Sequence, residues 1–173
     1  MARNYSRARG RAIWRLQEVA TPPCDLSAWV SRETLLKWIR EELASLDWRS
    51  KAPGEAQTYQ QDRHSMMLIL LSFAYATGLF DSEEVARACH SDAVLTQLCE
   101  NQTNAPWTKD VVEFRRKNRA TLIFILKRLL SRALEEHMDL QPGELPERWK
   151  RLLEEEAIER LDIARHMDVS IIE

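Results

Sequence analysis

His64-Ser65-Met66-Met67-Leu68-Ile69-Leu70-Leu71-Ser72-Phe73-Ala74-Tyr75-Ala76-Thr77-Gly78 is the stretch that decides the fold. Its apolar residues do not alternate as they would along a half-buried strand. Wound as a helix, they spread around the whole circumference, and a helix apolar on every side lies at the centre of its fold. Gly78 stands where a left-handed residue would close that helix. The apolar run from Met66 to Phe80 is interrupted by Ser72, Thr77 and Gly78. It falls short of the roughly 20 residues needed to cross a bilayer, so a buried helix is expected and no membrane partner.

Helical spacing continues outward on both sides. Leu35, Leu36, Ile39, Leu43 and Leu46 predict a helix from about Arg32 to Trp48, with Ser31 as its N-cap and Val30 before it. Residues 49–62, with Pro53-Gly54 and a glutamine-rich stretch, read as a polar loop. Asp81-Ser82-Glu83-Glu84 reads as a cap opening a short helix to about Cys89, and a second short helix fits Asp92 to Glu100. Thr108 is expected to cap the longest helix, to about His137, whose stripe is Val111, Phe114, Leu122, Ile125, Leu126, Leu129 and Ala133. A final helix from near Pro146 to about 167 turns Trp149, Leu152, Leu153, Ala157, Leu161 and Ala164 inward. Glu154, Glu155, Glu159 and Asp162 are expected in solvent, and Glu154-Glu155-Glu156 reads as a solvated face. Only four glycines and six prolines punctuate 173 residues, too few for a β-rich chain. The fold class is therefore all-α: one domain over residues 21–173, preceded by a basic arm, 1–20, holding a short helix around Arg9 to Val19.

Cys24, Cys89 and Cys99 lack the dense, even spacing of a disulfide framework. They read as reduced structural thiols, and with no apolar leader at the N-terminus a cytoplasmic location is expected. Cys89, His90 and Cys99 have no fourth ligand at zinc spacing. The Asp162–His166 pair, one turn apart, is equally unspecific, so no metal and no cofactor are expected. None of the short motifs of nucleophilic, metal-dependent or nucleotide chemistry occurs, and no enzymatic activity is expected. Trp14, Trp29 and Trp107 are read as packing residues rather than base-stacking platforms.

Charge is distributed unevenly about a net −2. Residues 1–20 carry Arg3, Arg7, Arg9, Arg11 and Arg15 against Glu18, whereas residues 135–173 carry twelve acids against five bases. Between 109 and 132, Lys109, Arg115, Arg116, Lys117, Arg119, Lys127, Arg128 and Arg132 face only Asp110 and Glu113. At about 100° per residue, Arg115, Arg116, Arg119 and Lys127 share one side of the apolar stripe, with Lys117 and Arg128 toward the other edge. Asn118 falls on the stripe, where its amide needs a partner. Such a band can neutralise phosphates, or it can pair with the acidic final helix inside one domain.

Three pieces of the chain resemble a known pattern. They are Met66 through Gly78, Ser82 through Cys89 with the short helix ending at Leu98, and Val112-Glu113-Phe114-Arg115-Arg116-Lys117-Asn118-Arg119. Their order and spacing over residues 65–134 resemble the N-terminal helical domain of bacterial insertion-sequence transposases of the DDE class. The helix after Gly78 departs from that pattern at Ser82-Glu83-Glu84-Val85, and the loop departs at Asn104 to Thr108. The residues after 134 do not read as the strand-rich catalytic domain with its three metal-holding carboxylates. The resemblance thus implies a mobile-element DNA-binding or regulatory module, helix-turn-helix-like, without transposase chemistry. Its partner would be double-stranded DNA, met by Thr108 and Lys109 at a helix start, by Arg115, Arg116, Arg119 and Lys127 along the band, and by Arg7, Arg9 and Arg11 of the arm. The alternative is a protein–protein interaction or homo-oligomerisation module that does not bind DNA.

Overall fold

A computed structural model describes residues 21–46, 55–100 and 105–172, with the side chains of 55–61, 100 and 169–172 left aside. Among the described residues the chain forms seven α-helices and no strand, after a short 3-10 turn at Leu26–Ala28. In order these are α1 (Arg32–Ser45), α2 (Glu55–Ala76), α3 (Ser82–Ser91), α4 (Ala93–Glu100), α5 (Thr108–Lys117), α6 (Arg119–His137) and α7 (Glu147–Ile172). The all-α expectation therefore holds. None of the described helices is long and apolar enough to cross a membrane.

The core is built around α2 and α6. Leu70, Leu71, Ala74 and Tyr75 of α2 have no exposed surface, and neither do Leu122, Ile125, Leu126, Leu129 and Ala133 of α6. Burying each large side chain stabilises the fold by about 1.5–3 kcal/mol. The most extensive helix pairing is that of α6 with α7, and α1 packs on both α2 and α6. The short helices α3 and α4 pack on each other and, respectively, on α5 and α2.

Caps set most boundaries. Ser31 Oγ accepts from the Thr34 amide at 3.2 Å, and Asp81 accepts from the Glu83 and Glu84 amides at 2.8 and 3.1 Å. Asp92 accepts from the Val94 and Leu95 amides at 2.9 and 3.1 Å, opening α4. Its own amide closes α3 on Ala88 O, and its carboxylate takes Arg32 of α1 at 2.7 Å. One aspartate thus fixes three helices. Gly78 ends α2 with φ +82°, and the Leu79 amide reaches back to Ala74 O at 2.8 Å. A Cβ at Gly78 would also lie 2.8 Å from Cys24 Sγ, so both the backbone turn and the close approach demand glycine.

Several boundaries differ from expectation. The segment expected as a loop to residue 62 is helical from Glu55, because Glu55, Ala56 and Gln57 are helix formers with no breaker beyond Gly54. Polarity there marks the outlying turns of a long helix, not a loop. The helix expected to reach Trp48 ends at Ser45, where the Leu46 amide closes on Leu43 O. The single long helix expected from Thr108 to His137 is two, parted at Asn118 (φ −112°, ψ 21°). The Asn118 amide side chain donates to Phe114 O at 3.0 Å, competing with the helical ladder at that carbonyl. Finally, Trp107 and not Thr108 is the N-cap of α5; the Asp110 carboxylate accepts from the Trp107 amide at 3.0 Å. The arm, with its expected helix and Trp14, lies outside the described residues.

Candidate interaction surface along the long helices

Three cation–carboxylate pairs join the basic band to α7. Lys127 meets Glu154 at 2.7 Å, Arg119 meets Asp162 at 3.0 Å, and Arg115 meets Asp168. Numbers fall along one side as they rise along the other, so α7 runs antiparallel to α5 and α6 with its acids in register with their bases. The band divides into two flanks as its periodicity predicts. Arg119 and Lys127 face α7, while Arg128 and Arg132 face Glu42 of α1 at 3.1 and 3.4 Å. Arg132 also lies over the Trp38 ring, 4.6 Å from its centroid.

Arg115 requires a correction: it is not a surface contact for phosphate but is 5% exposed. It donates to Tyr75 Oη at 3.3 Å, to Ser82 Oγ at 3.0 Å and to Asp168, which also accepts from the Ser82 amide at 3.4 Å. Burial works against its charge, and Tyr75 and Asp168 outweigh it. Burial likewise pushes the Tyr75 hydroxyl up to about 12, with Arg115 pulling the other way. The partners come from α2, α3 and α7, so nothing local to Arg115 announces its burial. Arg119 and Lys127 are each about a third exposed and hold a carboxylate, the pairing that the sequence left open. Glu154 and Asp162, expected in solvent, are their partners.

A second buried cation escaped the sequence reading altogether. Arg160 has no exposed surface. It donates to the carbonyls of Tyr75 and Ala76 at 2.8 and 3.1 Å, closing the C-terminus of α2. It also donates to Cys24 O at 2.9 Å and Pro23 O at 2.8 Å, and to Glu156 at 3.0 Å. Glu156 is therefore buried and ion-paired rather than part of a solvated face. The available signal was the Glu156–Arg160 spacing of one turn, on the side of α7 that carries Leu153, Ala157, Leu161 and Ala164.

Of the other residues expected at DNA, Lys109 and Arg116 are exposed and Thr108 is half-buried. Lys109 and Arg116 surround Glu113, whose carboxylate is held below the usual range by Lys117 first and then by these two. Arg7, Arg9 and Arg11 lie outside the described residues. Trp29 packs as expected, stacked on His137 with centroids 3.8 Å apart and planes 4° apart. Trp107 does not: it is 72% exposed, because its cap role fixes its backbone while its indole points outward.

The other flank of α6 floors a groove of about 830 Å³, walled by Trp38 and Glu42 of α1 and by Lys150 of α7. Phe124, 43% exposed, lies on that floor beside Arg128. Among the described residues no group of three or more His, Cys, Asp or Glu is placed to hold a metal ion. Comparison with known proteins returns no matching family model, no matching curated protein and no matching solved structure.

Proposed function

We propose that the protein is an interaction or oligomerisation module which does not engage DNA through the basic band of α5 and α6. The observation that supports this reading is the antiparallel packing of acidic α7 across that band. Three of the four band cations assigned to phosphate, Arg115, Arg119 and Lys127, already hold carboxylates. A duplex would have to displace those carboxylates and meet the remaining acids of α7 at close range. The groove with exposed Phe124 is then the surface offered to a protein partner or a second copy, apolar at its floor and charged at its rim.

Sedimentation and duplex binding together test the reading. The expected outcome is a mass that rises with protein concentration and falls back to the monomer in Phe124→Glu, with no duplex binding at low salt. A mass fixed at the monomer, with duplex binding that weakens steeply as salt rises and disappears in Arg116→Glu, would overturn it in favour of the DNA-binding module.

A further inference from the structure

The groove floored by α6 has apolar surface along its length and unanswered charge at one end. Phe124 is exposed, and half-buried Leu140 and exposed Pro142 continue the apolar lining past the last turn of the helix. Lys127, Arg128, Arg132 and Lys150, which line it, each hold a carboxylate already: Glu154 for the first, Glu42 for the two arginines and Glu147 for Lys150. The acids divide differently. Glu135 is buried and accepts from the Gly143 amide at 2.9 Å. Glu136 and Asp139 are exposed, and among the described residues neither has an ion-pair partner. Both stand at the C-terminus of α6, where the helix dipole also favours a cation.

We infer, resting on the reading of this groove as the interaction surface, that its occupant is the basic arm of a second copy, residues 1–20. The sequence of the arm answers the groove in both respects. Its arginines, opposed only by Glu18, supply the cations that Glu136 and Asp139 lack, and Ile13, Trp14 and Leu16 supply apolar side chains for the floor. A segment both basic and apolar, laid into a groove with an apolar floor and acidic end, binds by burial and is oriented by charge. Length is sufficient as well. Twenty extended residues span up to about 66 Å, more than twice the roughly 28 Å of a helix the size of α6.

The start of the described chain favours a second copy over the chain's own arm. Pro23 and Cys24 are held by Arg160 at the end of α2. α2 packs on the core side of α6, where Leu122 and Leu126 are buried, and Phe124 lies about half a turn away on the solvent side. The arm of the same chain must therefore round α1 or α7 to arrive in the groove, whereas that of a second copy approaches from solvent. Exchange of arms in both directions uses the same two surfaces on each chain and closes a symmetric pair.

Sedimentation of the full chain tests the assignment with two variants, their folding checked by helicity and melting. One reverses the arm, Arg7→Glu with Arg9→Glu and Arg11→Glu. The other reverses the end of the groove, Glu136→Arg with Asp139→Asn, asparagine being suited to the left-handed backbone at 139 (φ 56°). Each variant alone should associate about tenfold or more weakly than the wild type. An equimolar mixture of the two should regain a pair, since the acidified arm of one meets the basified groove of the other. An arm variant that associates as well as the wild type, while Phe124→Glu is monomeric, would sink the arm and leave the groove reading standing. Tighter association of the arm variant would show the arm covering its own groove and overturn the second-copy assignment, as would a mixture that stays monomeric. A wild type that is monomeric at every concentration would remove both the assignment and the reading beneath it.

Discussion

The charges of α7 form two rows that use the same chemistry to different ends. The inner row, Glu156, Arg160 and Asp168, is buried, with every charge engaged by a residue or carbonyl of another helix or its own. The outer row, Glu154 and Asp162, is more than a third exposed and holds Lys127 and Arg119 at the rim. A rim pair in water contributes about 0–1 kcal/mol, whereas an unpaired charge left inside costs several times that. The inner row therefore fixes how α7 sits, and the outer row decides what the neighbouring surface shows to solvent. A fold can lose the second without losing its shape.

The largest effect should come from Arg160. Arg160→Met removes the guanidinium that bonds Glu156 and the carbonyls closing α2, with an expected loss of about 3–5 kcal/mol in denaturant unfolding. A loss below about 1 kcal/mol, the size of a rim pair, would erase the distinction between the rows. Next, Arg115→Leu should cost about 3 kcal/mol by stranding Asp168, and adding Asp168→Leu should restore much of it. Additive losses in that cycle would mean that the two side chains act separately. The smallest effect belongs to the rim. Lys127→Ala and Arg119→Ala should each cost less than about 1 kcal/mol, and the cost should shrink in high salt.

Helix positions were legible wherever a periodic apolar run met a capping residue. Ser31 and Asp81 each bond the amides that their spacing predicts, and Leu122, Ile125, Leu126 and Leu129 face the core. The start of α2 was not legible, since polar helix formers and a polar loop share a composition. Nor was the break at Asn118, which a single side-chain bond to Phe114 O decides. For the surface, the sequence divided the band into two flanks but could not say which cations were free. Charge runs report composition; burial of Arg115 depends on Tyr75, Ser82 and Asp168, brought from 33 to 53 residues away. The alternative in which the band pairs with the acidic helix is the one that the geometry of α7 favours.

Arg160 also orders events in time. Its carbonyl partners at Pro23 and Cys24 precede it by 137 and 136 residues. At about 5–20 residues per second, a growing chain makes those carbonyls roughly 7–30 s before the guanidinium that receives them. Through that interval the carbonyls of Pro23 and Cys24 lack the guanidinium, the end of α2, made 84 and 85 residues ahead of Arg160, lacks it for the later part, and the face awaiting α7 stays uncovered. α7 is thus the keystone that locks the Pro23–Cys24 segment to the end of α2. Until Arg160 has been made, that face stays open to proteases and to neighbouring chains.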